Sequence, residues 1–105
     1  MKVMLRAIMR ILPGKMAEAM ELFKEMMAIM KKRGIPFPTP RTYSPFLGGG
    51  DALHTMIAEI EWDSFAAVAD MYEKSSADPE IMALMPKWDT VEESHRIELY
   101  MVIPE

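Results

Sequence analysis

Cysteine is absent from the chain, which excludes a disulfide framework, thiolate chemistry and metal sites built on cysteine. No apolar run approaches the ~20 residues that a bilayer-spanning helix needs. A basic excess is also missing, because the net charge is −4 with acids and bases interspersed. Nucleic acids and anionic membranes both require a basic face, so we expect neither as a partner. The N-terminus lacks the pattern of a signal peptide, which predicts a cytoplasmic protein.

Thirteen methionines stand out in a chain of 105 residues, half of which are hydrophobic. This length and composition predict one domain, 1–105, with a modest core. Clustered thioethers would suit Cu(I), but the sequence has no methionine-rich tail or His/Met tract. Most methionines fall on faces predicted to be buried, so flexible core packing is the favoured interpretation. No metal site is predicted.

The segment Lys2–Leu12 alternates between two unlike sets of side chains, which is typical of a β-strand with two different faces. One set is wholly apolar, and the other places Arg6 and Arg10 among aliphatic residues. Both faces are too apolar for open solvent, which favours a central position in a sheet. The apolar set consists of Val3, Leu5, Ala7, Met9 and Ile11.

The remaining segments show helical and extended patterns in turn. Apolar residues three and four positions apart predict amphipathic helices. Asp78-Pro79-Glu80 combines a cap, a proline at the first helical position and an acidic first turn, which indicates a helix start. The predicted elements are helix Lys15–Lys32, strand Arg41–Leu47, a glycine turn at 48–51, strand Leu53–Trp62, helix Ser64–Lys74, short helix Pro79–Met85, loop Lys87–Thr90 and strand Glu93–Ile103.

The order β-α-β-β-α-β is the split βαβ pattern of ferredoxin-like α+β proteins. Right-handed crossovers place the helices on one face of a four-stranded antiparallel sheet. The usual strand order, 4-1-3-2, puts the first and third strands at the centre and the second strand at an edge. Pro45 in the second strand cannot donate to a ladder, which agrees with that edge position.

The sheet face opposite the helices collects charged residues, with aliphatic ones such as Ile8 and Ile57 among them. It is either simply solvated, with ion pairs of little energetic value, or half-buried in a homodimer, where planar Arg–Glu pairing suits an interface. The exposed aliphatic content favours the homodimer. The predicted dimer-face residues are Arg6, Arg10, Glu59, Glu61, Arg96, Glu98 and Tyr100.

Three motifs carry a resemblance to the dimeric α+β barrel superfamily: LPGK at 12–15, EIEWDSFAA at 59–67 and ADPE at 77–80. Over nearly the whole chain the sequence resembles NIPSNAP-like proteins most, and antibiotic-biosynthesis-monooxygenase-like proteins next. The resemblance implies a ferredoxin-like protomer, a homodimer whose sheets pack face to face, and a pocket between the sheet and helices of each protomer.

The superfamily also contains haem-degrading enzymes, and this sequence departs from their pattern. Those relatives use an asparagine on the first strand, a tryptophan, and an iron-ligating histidine in the second helical region. This chain has no asparagine, and no histidine lies between His54 and His95. Haem degradation is therefore not expected, and no cofactor is predicted.

Candidate catalytic residues are few. His54 and His95 are the only imidazoles, and an imidazole can exchange a proton near neutral pH, but the sequence shows no partner for either. Glu59 and Glu61 share a face and suit acid–base work, although pairing with arginines is the simpler interpretation. His54 and Glu59 are kept as the catalytic candidates.

Two functions remain open. One is a homodimer that binds a small apolar or aromatic molecule between sheet and helices. The other is a cofactor-independent monooxygenase-like enzyme acting on an aromatic or polyketide-like substrate, where the protein supplies shape and one base. A pocket holding a polar base favours the enzyme, whereas a methionine-filled interface favours the binding protein. The predicted pocket-lining residues are Tyr43, Met56, Trp62, Tyr72 and Trp88.

Overall fold

Four strands and four helices make up the computed structural model over the residues it describes, 1–48 and 53–104. Their order confirms the predicted ferredoxin-like α+β pattern, with two short helices before the last strand. The predicted glycine turn at 48–51 falls largely outside the described residues. The elements are β1 Val3–Ile11, α1 Met16–Arg33, β2 Arg41–Tyr43, β3 Thr55–Trp62, α2 Phe65–Ser76, α3 Pro79–Met82, α4 Met85–Trp88 and β4 Glu92–Met101.

The sheet is antiparallel with the strand order β2-β3-β1-β4, which confirms the predicted arrangement. β1 is central and pairs along nearly its whole length with both neighbours. Leu5, for example, lies opposite Ile60 on β3 and Leu99 on β4. This double pairing fixes the face on which each β1 side chain lies.

The core lies between the helices and the apolar faces of β1 and β3. Alternate side chains of these two strands are buried, and α1 packs against them with Leu22, Phe23 and Met30. Burying an aliphatic side chain of this size contributes roughly 1.5–3 kcal/mol. The buried strand residues are Val3, Leu5, Met9, Ile11, Met56, Ala58, Ile60 and Trp62.

α1 ends at Gly34, which has φ 69° and ψ 22°. This left-handed conformation strains residues that carry a Cβ, so glycine is the favoured residue at the end of a helix. The first turn of α1 contains Glu18, and the last contains Lys31, Lys32 and Arg33. These charges complement the helix dipole.

An ion-pair cluster joins the end of α1 to the start of α3. Arg33 Nε donates to Asp78 Oδ2 at 2.9 Å, and Arg33 Nη2 also contacts Glu80. Asp78 caps α3, because its Oδ1 accepts from the backbone N–H groups of Glu80 and Ile81 at 2.9 and 3.1 Å. The backbone hydrogen bond from Ile81 and the contact with Arg33 hold the pKa of Asp78 below its ordinary value.

The second strand is shorter than predicted. β2 ends at Tyr43 rather than at Leu47, because Pro45 has no N–H to donate and interrupts the ladder. Phe46 and Leu47, which follow the interruption, are almost fully exposed. The edge of the sheet formed by β2 therefore carries only a three-residue strand.

The segment before β4 is more helical than predicted. The expected helix Pro79–Met85 divides, since α3 ends at Met82 and α4 covers Met85–Trp88, part of which was predicted as a loop. Pro86 lies in the first turn of α4, where a missing N–H leaves no helical hydrogen bond unmade. Proline here permits a helix rather than ending one.

The helical layer is narrower than the sheet. The apolar side chains of β4 share the face of Leu5 and Ala7, as their alternation predicts. However, Ile97, Leu99 and Met101 are 39%, 43% and 69% exposed. The helix-facing side of this edge strand is therefore open.

The contact between Asp78 and Arg33 predicts a pH-dependent loss of stability in an Asp78→Asn variant. Asparagine retains an acceptor at the α3 cap but removes the charge that faces Arg33. A carboxyl group whose pKa is lowered by folding stabilises the fold above its unfolded pKa, and this effect is lost as the pH falls through the folded pKa. We therefore expect the variant to be less stable than the parent at pH 7, and the two to converge as the pH falls below 3.8, the ordinary value for this group.

Urea unfolding of both proteins from neutral to acid pH measures this difference. Asp70→Asn, which changes an exposed acid on α2, is the matched control and should show no comparable pH-dependent difference. A stability loss in Asp78→Asn that is the same at every pH would contradict the role of the charge.

Candidate functional site

Two cavities lie beside the helical layer. One, of about 340 Å³, lies between the helix-facing side of β1 and β4, helix α1 and the segment from α2 to α4. The other, of about 840 Å³, lies between α1, the linker that follows it, β2 and β3. Six methionines line the smaller cavity and four line the larger. Because methionine adapts to irregular apolar shapes, both surfaces suit an apolar molecule.

The smaller cavity combines apolar walls with a few polar groups. β1 contributes Leu5, Ala7 and Met9, while Tyr72 and Trp88 come from the helical side. Burial raises the pKa of the Tyr72 hydroxyl, so this group stays protonated and is able to donate a hydrogen bond. Further polar side chains come from the ends of α2 and α4 and from the start of β4, namely Ser75, Ser76, Asp89, Glu92 and His95.

His95 and Glu92 form a histidine–carboxylate pair in this cavity lining. His95 Nδ1 lies 2.9 Å from Glu92 Oε1. The histidine side chain is 55% exposed, whereas that of Glu92 is 10% exposed. When Nδ1–H donates to the carboxylate, the lone pair of Nε2 is left available to accept a proton. A base oriented by a carboxylate is a common element of catalytic sites.

A β-bulge at the start of β4 brings these two side chains together. Arg10 lies opposite Ser94, but the next β1 residue, Ile11, lies opposite Glu92, which leaves Glu93 as an extra residue. In a regular strand, residues three positions apart lie on opposite faces. The extra residue returns Glu92 to the face on which His95 lies.

The extra residue itself lies on the other face of the sheet. Glu93 Oε2 is 3.3 Å from Arg10 Nε, and Arg10 belongs to the charged set of β1. The bulge therefore separates the two adjacent glutamates, with Glu93 on the charged face and Glu92 in the lining of the smaller cavity.

The larger cavity contains two of the predicted pocket residues, Tyr43 and Met56. Met56 is buried in the sheet. Tyr43 borders the cavity, and its hydroxyl also helps to lower the pKa of Glu59 on the charged face of the sheet. The polar groups of this lining include two α1 lysines, Lys24 and Lys31, and it lacks a paired acid and base among the described residues.

The other predicted pocket residues divide between the smaller cavity and the core. Tyr72 and Trp88 both line the smaller cavity. Trp62 lines neither cavity; it is 2% exposed and packs edge-on against Phe37, with ring centroids 5.8 Å apart. Its Nε1 has no hydrogen-bond partner within the described part of the chain. Trp62 is therefore a core residue in this structure.

The two predicted catalytic candidates lie outside both cavities. His54 is exposed in a short turn before β3. Glu59 lies on the charged face, where Arg6 Nε and Nη2 both donate to its Oε2, at 2.8 and 2.6 Å. These hydrogen bonds hold the pKa of Glu59 below its ordinary value, which makes Glu59 a poor proton acceptor.

Most of the predicted dimer-face residues form a connected network on the face opposite the helices. The guanidinium of Arg6 lies 5.4 Å from the ring centroid of Tyr100, in addition to its pairing with Glu59. The Tyr100 hydroxyl donates to Glu98 at 2.5 Å, and Arg96 Nε lies 3.0 Å from the other oxygen of Glu98. The hydrogen bond between Tyr100 and Glu98 raises the pKa of Tyr100 and lowers that of Glu98.

The rest of this face mixes charged and apolar side chains. Glu61 lies opposite Met4, and Ile8 lies opposite Ile57 on one side and Arg96 on the other. Ile8 and Ile57 are only partly buried. The face thus presents aliphatic side chains between ion pairs that are already formed within one chain.

The described ranges, 1–48 and 53–104, hold neither a cluster of metal-ligating side chains nor a membrane-spanning helix. No group of three or more histidine, aspartate or glutamate side chains there is arranged to hold a metal ion. No helix in this part of the chain is long and apolar enough to cross a membrane.

Solved structures with the same fold include NIPSNAP proteins. A NIPSNAP family protein from Agrobacterium tumefaciens aligns with a TM-score of 0.78 at 20% identity, covering 96% of this chain and 92% of its own. An uncharacterized NIPSNAP domain protein from Burkholderia xenovorans aligns with a TM-score of 0.75 at 20% identity, covering 98% and 95%. An antibiotic biosynthesis monooxygenase aligns with a TM-score of 0.64 at 17% identity, covering 97% and 99%.

These likenesses confirm the predicted resemblance at the level of the fold. No protein-family model matches the sequence, and no curated protein matches it either. With identities of 20% or less in these three alignments, the shared architecture carries no information about the reaction or ligand of this chain.

The pairing of Arg6 with Glu59 predicts a change in titration in an Arg6→Met variant. Methionine retains the apolar stem of the side chain but removes the two donors that stabilise the carboxylate. The pKa of Glu59 should therefore rise from its lowered position toward or above 4.5, the ordinary value. NMR titration of the side-chain carboxyl carbon measures this directly.

The control for this titration is Arg96→Met, which removes an arginine paired with Glu98 instead. Its effect on the titration of Glu59 should be small. An unchanged Glu59 titration in Arg6→Met would contradict the assignment of Arg6 as the main stabilising partner.

Proposed function

We propose that this chain forms a homodimer in which each protomer binds a small apolar or aromatic molecule in the smaller cavity. The observation that carries the binding proposal is the cavity lining, which combines six methionines and Trp88 with a few polar side chains. A largely apolar pocket with a few convergent polar groups is the usual form of a small-molecule site. The volume, about 340 Å³, is near the lower end of the ~300–1,000 Å³ typical of such sites.

The dimer proposal rests on the sheet face that carries the Arg6 network. The helices pack on the other face of the sheet, and the protomer is a flat plate of 39 × 35 × 17 Å. A stable interface needs roughly 800 Å² from each partner, which a face of this extent provides. The radius of gyration of the protomer, 14.3 Å, also exceeds the ~13 Å expected for a compact chain of this length, which agrees with its flat shape.

The same face is complementary to a second copy of itself. The arginines of β1 lie beside glutamates of β3 and β4, and most of these charges are paired within the protomer, so little unpaired charge is buried on association. Ile8 and Ile57 lie among these pairs and gain from burial. A two-fold axis through such a patch places the same residues on both sides of the interface.

An Ile8→Glu variant tests this assembly. The substitution replaces an aliphatic side chain near the middle of the face by a carboxylate in both copies, and the desolvation of these charges disfavours association. Native mass spectrometry and light scattering should show a dimer for the parent and a monomer for the variant at micromolar concentration. Ala28→Glu, on an exposed part of α1, should remain dimeric, and a monomeric parent would contradict the proposal.

An Ala7→Leu variant tests the ligand site. Ala7 lines the smaller cavity from β1, and the added side-chain atoms reduce its volume. With 2-tetralone, a bicyclic aromatic ketone, as the probe, saturation-transfer NMR should show binding to the parent and at least about a tenfold loss of affinity, which is about 1.4 kcal/mol, in the variant.

Thr42→Leu, in the lining of the larger cavity, is the matched control and should leave the affinity for 2-tetralone unchanged. The reverse result, with loss of binding in Thr42→Leu alone, would move the ligand site to the larger cavity. Absence of binding to the parent would contradict the proposed ligand class.

A second candidate function is a cofactor-independent monooxygenase-like enzyme that acts on an aromatic or polyketide-like substrate. The specific observation in its favour is the His95–Glu92 pair in the lining of an apolar cavity, since such an enzyme needs a base. Oxygen uptake that depends on both the protein and a bound aromatic ketone would support it. Binding without oxygen uptake would leave the binding function alone.

A further inference from the structure

Three features of the structure converge on His95. It lines the smaller cavity, its Nδ1 is held by the carboxylate of Glu92 at 2.9 Å, and a bulge at Glu93 is what places the two side chains on one face. Bulges often reorient a side chain beside a functional site.

We propose that His95 is a general base that removes a proton from an acidic C–H group of an aromatic ketone or related enolisable molecule bound in the smaller cavity. This inference rests on the proposed ligand site, and it adds a reaction and a catalytic residue to that site. It requires no metal and no oxidant, because only a proton changes position.

The proposed step is a reversible proton transfer. The lone pair of His95 Nε2 forms a bond to the proton, the C–H bond next to the carbonyl group breaks, and its electron pair moves into the carbonyl group to give an enolate. Return of a proton from Nε2 to carbon regenerates the ketone. The side chain of His95 is about half exposed, so the proton on Nε2 exchanges with solvent between the two transfers.

Glu92 acts as a positioning residue in this step. Its carboxylate accepts from Nδ1–H, which selects the tautomer with a free Nε2 and stabilises the imidazolium formed after proton transfer. The low exposure of Glu92, 10%, strengthens the interaction by reducing screening by water. Tyr72, a neutral hydroxyl in the same lining, is a donor available to the carbonyl oxygen on which negative charge develops.

Hydrogen–deuterium exchange at C1 of 2-tetralone, followed by NMR in D₂O, tests the proposal. The parent protein should accelerate exchange above the buffer rate, and His95→Gln should lose that acceleration by roughly a hundredfold or more while still binding the ketone. His54→Gln, which removes the other imidazole outside both cavities, should exchange like the parent. Equal acceleration by the parent and His95→Gln would overturn the assignment.

A Glu92→Leu variant separates positioning from simple packing. Leucine retains the bulk of the side chain but cannot accept from Nδ1–H, so the ¹⁵N spectrum of neutral His95 should change from the Nδ1–H to the Nε2–H tautomer. Exchange should slow without loss of affinity for the ketone, and Glu92→Asp should restore part of the rate. An unchanged tautomer in Glu92→Leu would overturn the role of Glu92.

The outcomes also separate this inference from the proposed function. If the parent does not bind 2-tetralone, the ligand site is wrong and the inference fails with it. If the parent binds the ketone but does not accelerate exchange, the binding function stands and the general-base role of His95 is overturned.

Discussion

The pairing of β1 with a neighbour on each side is the constraint on which the rest of the structure depends. Because both ladders fix its register, a shift of one residue would move every apolar side chain of β1 out of the core. The same register sets the other face, where Arg6 lies opposite Glu59 on one side and Glu98 on the other. One strand thus determines both the core and the charged face.

The sequence predicted the parts of the structure that follow from simple periodicity. Alternation in β1, β3 and β4 predicted the correct faces, the order of the elements predicted the correct strand order, and the proline and glycine signals located α1 and α3. The errors have local causes, because Pro45 shortens β2, whereas Pro86 lies in the first turn of α4, part of which was predicted as a loop. A proline stops a strand at its missing donor, but its effect on a helix depends on the turn in which it lies.

The candidate site was less visible in the sequence, for a physical reason. His95 was noted without a partner, since a glutamate three positions earlier on a regular strand lies on the opposite face. The extra residue of the bulge, Glu93, reverses that expectation. The residue types around it do not predict a bulge. Whether a predicted pocket residue lines a cavity depends on the gaps that remain between the helices and the sheet. These gaps are set by side-chain packing, which the alternation of residues does not reveal. Methionines illustrate this, because the same predicted apolar faces both fill the core and line the two cavities.

The bulge at Glu93 also governs how this chain can be compared with others of the same architecture. If the faces of β4 are assigned by simple alternation from its C-terminal end, the assignment is correct as far as Ser94. It is wrong for Glu93 and Glu92, which lie beyond the bulge. An alignment that tolerates no gap at this point equates Glu92 with a residue on the wrong side of the sheet whenever the other protein has a regular strand. A one-residue insertion or deletion here leaves the architecture intact and creates or abolishes the pair, so equivalence at this site has to be assigned from strand pairing.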